Sequence, residues 1–222
     1  MRMLATFRKD ERIRHIGHLD ILRAMQRALR RSGIPADYSK GFNPHMLLTF
    51  ASALSVGAVG QREIMEVSLA GEIEPEEFMT RLNAALPPEM QLTSARLIED
   101  THPATMSMVC AARYHIALPD GDRRRIEEKL SAYLEQTEII TDRKTKSGIK
   151  PCDIRPLIYD LRAEDNGLFA ELALTERESC KPAMLLTTLY AFAGLEPGCC
   201  RIIRTALLGT DASGRRVPLE DL

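Results

Sequence analysis

Three histidines and an aspartate are the residues whose types and spacing best suit proton-transfer chemistry. His15 and His18 frame a turn ahead of a helical stretch, and His45 closes the run Lys40-Gly41-Phe42-Asn43-Pro44-His45. An imidazole titrates near neutral pH and serves as acid, base or ligand, and Asp20 is placed to orient one. His18, Asp20 and His45 are therefore the candidate catalytic residues. No serine, cysteine or carboxylate pair is spaced to supply a nucleophile beside them, so the pattern stops short of a reaction.

A second group is cationic. On a helix running from about His18 to Arg31, at 100° per residue, Leu19, Ile21, Leu22, Met25, Ala28 and Leu29 fall on one broad side and Arg23, Arg27, Arg30 and Arg31 on the other. Four guanidiniums on one face repel one another, and Asp20, three residues from Arg23, pairs only one of them. An anionic partner relieves that repulsion, and the planar fork of arginine suits the phosphate oxygens of a nucleic acid or nucleotide. A solvated face, or pairing with acidic residues elsewhere in the chain, is the alternative.

The Lys40–His45 run has the composition of a ligand loop. Gly41 permits close backbone approach, Asn43 both donates and accepts, and Phe42 either offers a face to a base or plugs the core. Arg143-Lys144-Thr145-Lys146-Ser147-Gly148-Ile149-Lys150 is a basic, hairpin-like loop ahead of Asp153-Ile154-Arg155-Pro156. Its Lys144, Lys146 and Lys150, with Arg155, join the anion-binding candidates. No Walker-type loop, GxGxxG turn or HExxH occurs, which moves nucleotide hydrolysis, dinucleotide redox and zinc proteolysis down the list.

The elements that must position these residues follow from periodicity. A strand at Met3–Phe7, the helix ended by Gly33 and Pro35, strands at Met46–Phe50 and Arg62–Leu69, a helix from Pro75 to Leu86 and a strand at Gln91–Ile98 give the order β-α-β-β-α-β. The second half repeats it: a strand at Arg113–Leu118, a helix at Arg123–Glu135, strands near Glu138–Thr141, Ile154–Leu161 and Leu168–Leu174, a helix after Pro182, and a strand at Arg201–Leu208. Either Glu138–Thr141 or Leu168–Leu174 is then an extra or edge strand. The expected fold is α+β, two tandem ferredoxin-like (βαββαβ) domains over residues 1–103 and 104–210, with a polar tail at 211–222.

Charge is distributed unevenly. Residues 1–50 hold ten Lys+Arg against four Asp+Glu, and residues 51–105 three against nine, although the whole chain is nearly neutral. A polyanion is then expected to bind locally, at the N-terminal end. No apolar run approaches the ~20 residues that span a bilayer, and the first residues lack a signal-peptide pattern, so a cytoplasmic protein is expected. Five cysteines without a CxxC pair read as reduced thiols, with no metal and no cofactor.

Gly17-His18-Leu19-Asp20 with Arg23, Ala28-Leu29-Arg30-Arg31-Ser32-Gly33 and Gly41-Phe42-Asn43-Pro44-His45 resembles the radical-SAM-linked family. Lys144 and Asp153-Ile154-Arg155-Pro156 resemble its second motif, so the likeness covers nearly the whole chain. Members lie beside, or fused to the C-terminus of, B12-binding radical SAM proteins, and such a protein is the partner that the resemblance implies. A looser likeness, to the CRISPR repeat-RNA endonucleases, implies tandem ferredoxin-like architecture and RNA affinity. Their glycine-rich loop is not reproduced around Gly194 and Gly198, so no cleavage activity is carried over. The expectation is an accessory, RNA-binding module. The alternatives are an acid–base enzyme acting on RNA or a small phosphorylated substrate, and a docking scaffold.

Overall fold

The computed structural model describes every residue except Lys146, Ser147 and Glu176. The fold is α+β, with antiparallel ladders and five α-helices among the described residues. It divides into two compact units, residues 1–109 with 204–222, and residues 110–203. No helix among the described residues is long and apolar enough to cross a membrane.

The first unit runs β1 (Arg2–Lys9), α1 (His18–Ser32), β2 (Leu48–Phe50), β3 (Val59–Ser68), α2 (Pro75–Ala85), β4 (Leu92–Ile98) and the short α3 (Thr105–Met108). β1 lies between β3 and β4, antiparallel to both, and β2 pairs with β3. Met3, Ala5 and Phe7 alternate along β1, Met65 and Val67 along β3, and these meet Ile21, Met25, Ala28 and Leu29 of α1 and Phe78 and Leu82 of α2 in one core. Leu19, expected on the apolar side of α1, is 61% exposed, because the buried stripe begins only at Ile21.

The two helices tie off each other's ends. Arg31 Nη2 donates to the carbonyl of Ala85 at 2.7 Å, and Arg81 donates to the carbonyls of Ser32 and Gly33. Cations on C-terminal carbonyls complement the helix dipole. α1 stops at Gly33, whose φ of 65° is left-handed and costs glycine least.

The second unit contains β5 (Ala111–Ala117), α4 (Asp120–Leu134), β6 (Ile140–Thr145), β7 (Gly148–Asp153), β8 (Ile158–Glu164), β9 (Gly167–Ala173) and α5 (Pro182–Ala193). β9 lies between β5 and β8, antiparallel to both. β6 and β7 pair with each other as a separate two-stranded ladder, off the strands β5, β9 and β8. β10 (Arg201–Thr210) leads back to the first unit.

Residues 211–222, expected as a polar tail, instead carry β11 (Arg216–Pro218), paired with β10, and bury Leu219. Asp211 makes that return a tight turn. Hydrogen bonds, first from the Ser213 hydroxyl and then from the Arg215 amide, hold its carboxyl down at about 2.

Glu66 on β3 supplies a pH dependence. Burial pushes its carboxyl up, but hydrogen bonds from the Thr105 hydroxyl (2.6 Å), Arg2 Nη1 (2.6 Å) and the Thr105 amide (3.1 Å) outweigh burial and hold it below its ordinary 4.5. The carboxylate stabilises the native state above the unfolded-state value, and that contribution disappears as the pH falls through the lowered one. Melting curves of wild type and Glu66→Gln should therefore differ above about pH 4.5 and converge in acid. Curves separated equally at all pH values would refute this.

Candidate functional site

The α1 face carries the cations as expected, yet their partners differ. Arg23, Arg27, Arg30 and Arg31 are all exposed. Arg23 Nη1 pairs with Asp20 at 3.0 Å, and Arg30 Nε donates to the Tyr38 hydroxyl at 3.4 Å. Arg27 has no ion pair among the described residues. Arg31 is engaged at the end of α2, which makes it a structural tie rather than a free phosphate ligand.

The Lys40–His45 loop projects beside this face. Its base is closed by a bridge between Tyr38 and Met46, by the Ser39 amide donating to the His45 carbonyl at 2.8 Å, and by the Ser39 hydroxyl meeting His45 Nδ1 at 2.7 Å. His45 thus fastens the loop. Gly41 takes a φ of 132°, and Lys40, Phe42 and Asn43 are exposed. Phe42 is fully exposed, so it does not plug the core. The Arg30–Tyr38 contact connects the arginine face to the root of this loop.

No hydrogen bond or ion pair joins His18, Asp20 and His45 to one another among the described residues. Asp20 is used by Arg23 and His45 by Ser39, while His18 packs edge-on against Phe50 with ring centroids 5.3 Å apart. His18 instead faces a charged cluster that the sequence reading missed. Lys9, 3% exposed, donates from Nζ to the Arg14 carbonyl at 2.8 Å. Glu63 accepts two bonds from Arg204, one from Nε at 2.8 Å and one from Nη2. Arg204 is 1% exposed and also donates to Ser52 and Ala53.

Local geometry explains why these charges are buried. Lys9 extends the Met3, Ala5, Phe7 alternation, Glu63 the Met65, Val67 alternation, and Arg204 lies in line with Ala206 and Leu208. The β1–β3 register shifts between Phe7, opposite Glu63, and Lys9, opposite Gly60. Such a bulge re-aims side chains. Gly60 makes room for Glu63, since a Cβ there would lie 2.5 Å from Glu63 Cγ.

Burial lowers the pKa of His18, and the Arg204 charge lowers it further against a smaller opposing effect of Glu63. Burial and Arg204 also lower that of Lys9, with Glu63 opposing.

In the second unit, Lys144 and Lys150 are exposed on the β6–β7 hairpin and, with Arg143 and Arg177, line an open concavity. Lys146 lies outside the described residues. Arg155 is not a free cation, because its Nε donates to the Leu134 carbonyl at the end of α4 at 3.0 Å. Asp153 Oδ1 accepts from the amides of Ile139 and Arg155, so Asp153-Ile154-Arg155-Pro156 is a structural clasp.

No disulfide joins the cysteines among the described residues, and burial pushes the Cys180 thiol up to about 12, which keeps it protonated. Among the described residues no three His, Cys, Asp or Glu side chains gather to hold a metal ion.

Residues 2–184, which span the arginine face, the Lys40–His45 loop and the Asp153 clasp, match the family described as "Uncharacterized protein conserved in bacteria (DUF2344)". The chain belongs to this family. The match therefore covers both units, while the C-terminal return with Arg204 lies beyond it. No curated protein matches the chain.

Proposed function

We propose that this DUF2344 chain is an accessory RNA-binding module of the cytoplasm that presents its RNA to a B12-binding radical SAM partner. One observation carries the reading. A fully exposed phenylalanine, Phe42, stands on a loop whose root is joined by Tyr38 to Arg30 of the arginine face. Cations beside an aromatic face suit single-stranded nucleic acid, the cations following phosphates while a base stacks on the ring. In the second unit, the basic hairpin with Lys144 and Lys150 is a cationic surface of its own.

We read both units as ferredoxin-like. The order β1-α1-β2-β3-α2-β4 with β1 between β3 and β4 supports this in the first. In the second, the order β5-α4-β8-β9-α5-β10 with β9 between β5 and β8 supports it, with β6–β7 as an insertion. The radical SAM partner rests on the family resemblance of these motifs alone, from Gly17–Asp20 to Asp153–Pro156.

The test is RNA capture by crosslinking in cells, followed by fluorescence polarisation on the enriched RNA with wild type and Phe42→Ala. Loss of one stacked base is expected to weaken binding by about 1–3 kcal/mol, roughly 5- to 150-fold, with unchanged melting temperature. An enriched RNA that binds Phe42→Ala as tightly as wild type would remove the stacking loop from the site. No enriched RNA at all would overturn the reading.

A further inference from the structure

The sheet face under α1 is apolar along most of its length, but at one end neighbouring strands place Lys9, Glu63 and Arg204 together. Glu63 is committed to Arg204 through both carboxylate oxygens, and the other Arg204 protons go to Ser52 and Ala53. Lys9 retains a single acceptor, the Arg14 carbonyl. With Glu63 engaged by Arg204, Lys9 is a buried ammonium hydrogen-bonded to a neutral carbonyl, a costly arrangement away from water. His18 adds no charge while its imidazole is neutral.

Against this ammonium lies a cavity of about 20 Å³, lined among others by Lys9, His18, Phe7, Phe50, Ser52 and Glu63. That volume holds a water, or the terminal oxygen of a group entering past His18. Its polar lining is cationic and hydroxylic apart from a carboxylate already paired with Arg204, and its other walls are the apolar side chains of Phe7, Ile21, Phe50 and Leu54. A cation would meet Lys9, and an apolar group would leave the ammonium uncompensated. A negatively charged oxygen group accepts from the remaining Lys9 protons and gives the ammonium a counter-charge.

We propose that this cavity binds one oxyanion head group, a carboxylate or a phosphate ester, with Lys9 as its counter-ion and half-exposed His18 as its outer wall. The site is separate from the arginine face and independent of the RNA reading. Burial lowers the proton affinity of Lys9 and His18, and a bound anion raises both.

The experiment follows the His18 Cε1–H resonance and the melting temperature of the full chain during titration with acetate and, separately, methyl phosphate. Ionic strength is held constant with chloride. A saturable His18 shift with a millimolar-range Kd is expected, and the tighter of the two probes names the head group. Lys9→Met should weaken it at least about tenfold, the scale of a lost charged hydrogen bond, and Arg27→Ala should leave it unchanged. No saturable shift in wild type with either anion overturns the proposal, as does a shift that persists in a folded Lys9→Met variant. The wild-type titration decides even where that variant does not fold. A site lost in Arg27→Ala would place the anion on the arginine face and equally overturn it.

Discussion

Glu63→Gln is expected to destabilise the first unit by about 3–5 kcal/mol, the range for removing one partner of a buried ion pair. The guanidinium of Arg204 is 1% exposed and takes both oxygens of Glu63. A glutamine fills the same space and keeps one acceptor, but it removes the negative charge that acts on both Arg204 and Lys9. Arg204 retains Ser52 and Ala53 as acceptors, which satisfy its hydrogens without offsetting its charge.

Lys9→Met makes the contrast, because removing the ammonium leaves a neutral Glu63–Arg204 pair. Replacing a poorly compensated buried charge by an apolar group of similar size is commonly neutral or stabilising. Urea unfolding of both variants measures the difference, with the slope checked for a single transition. A Glu63→Gln change within about 0.5 kcal/mol of wild type, the ordinary range for a surface substitution, would mean that the pair is hydrated rather than buried.

The second large effect falls on binding. Replacing Arg23, Arg27 and Arg30 together by alanine is expected to reduce RNA affinity by on the order of a hundredfold at physiological salt. Each phosphate contact on a single strand contributes about 0.7 to the slope of log affinity against log salt, so the triple variant should lose about 2 from that slope. Stability should change little, because all three side chains are exposed and Arg23 gives up only a surface pair with Asp20. Arg31→Ala should do the opposite, lowering the melting temperature through the lost Ala85 carbonyl contact while the salt slope stays put. Polarisation titrations at several salt concentrations read both. An unchanged slope in the triple variant would sink the arginine face as the phosphate-binding surface.

The sequence by itself determined the elements and the charge map. Alternation along Met3–Phe7 and the buried stripe of α1 each set which face is apolar, and local spacing suffices because a strand repeats every two residues and a helix every 3.6. The same local rule made the arginine face legible and placed the Lys40–His45 run between a helix and a strand. It also marked Lys9 as continuing a buried alternation, a signal present in the sequence and overlooked because lysine is rarely buried.

Only the tertiary structure decided what those charges do. Glu63 and Arg204 lie 141 residues apart in the chain, and their pairing depends on β10 returning to the first unit. The free cation of α1 and the helix-end tie differ by their distance from the carbonyl of Ala85, which no spacing within α1 records. Arg155 is likewise spent on a carbonyl 21 residues upstream. Phe42 turned outward because the Ser39–His45 closure holds the loop tip in solvent, an outcome that composition left open. Periodicity assigns a residue to a face. Which partner waits across that face is set by long-range packing, and that partner determines whether a charge is structural or available for binding.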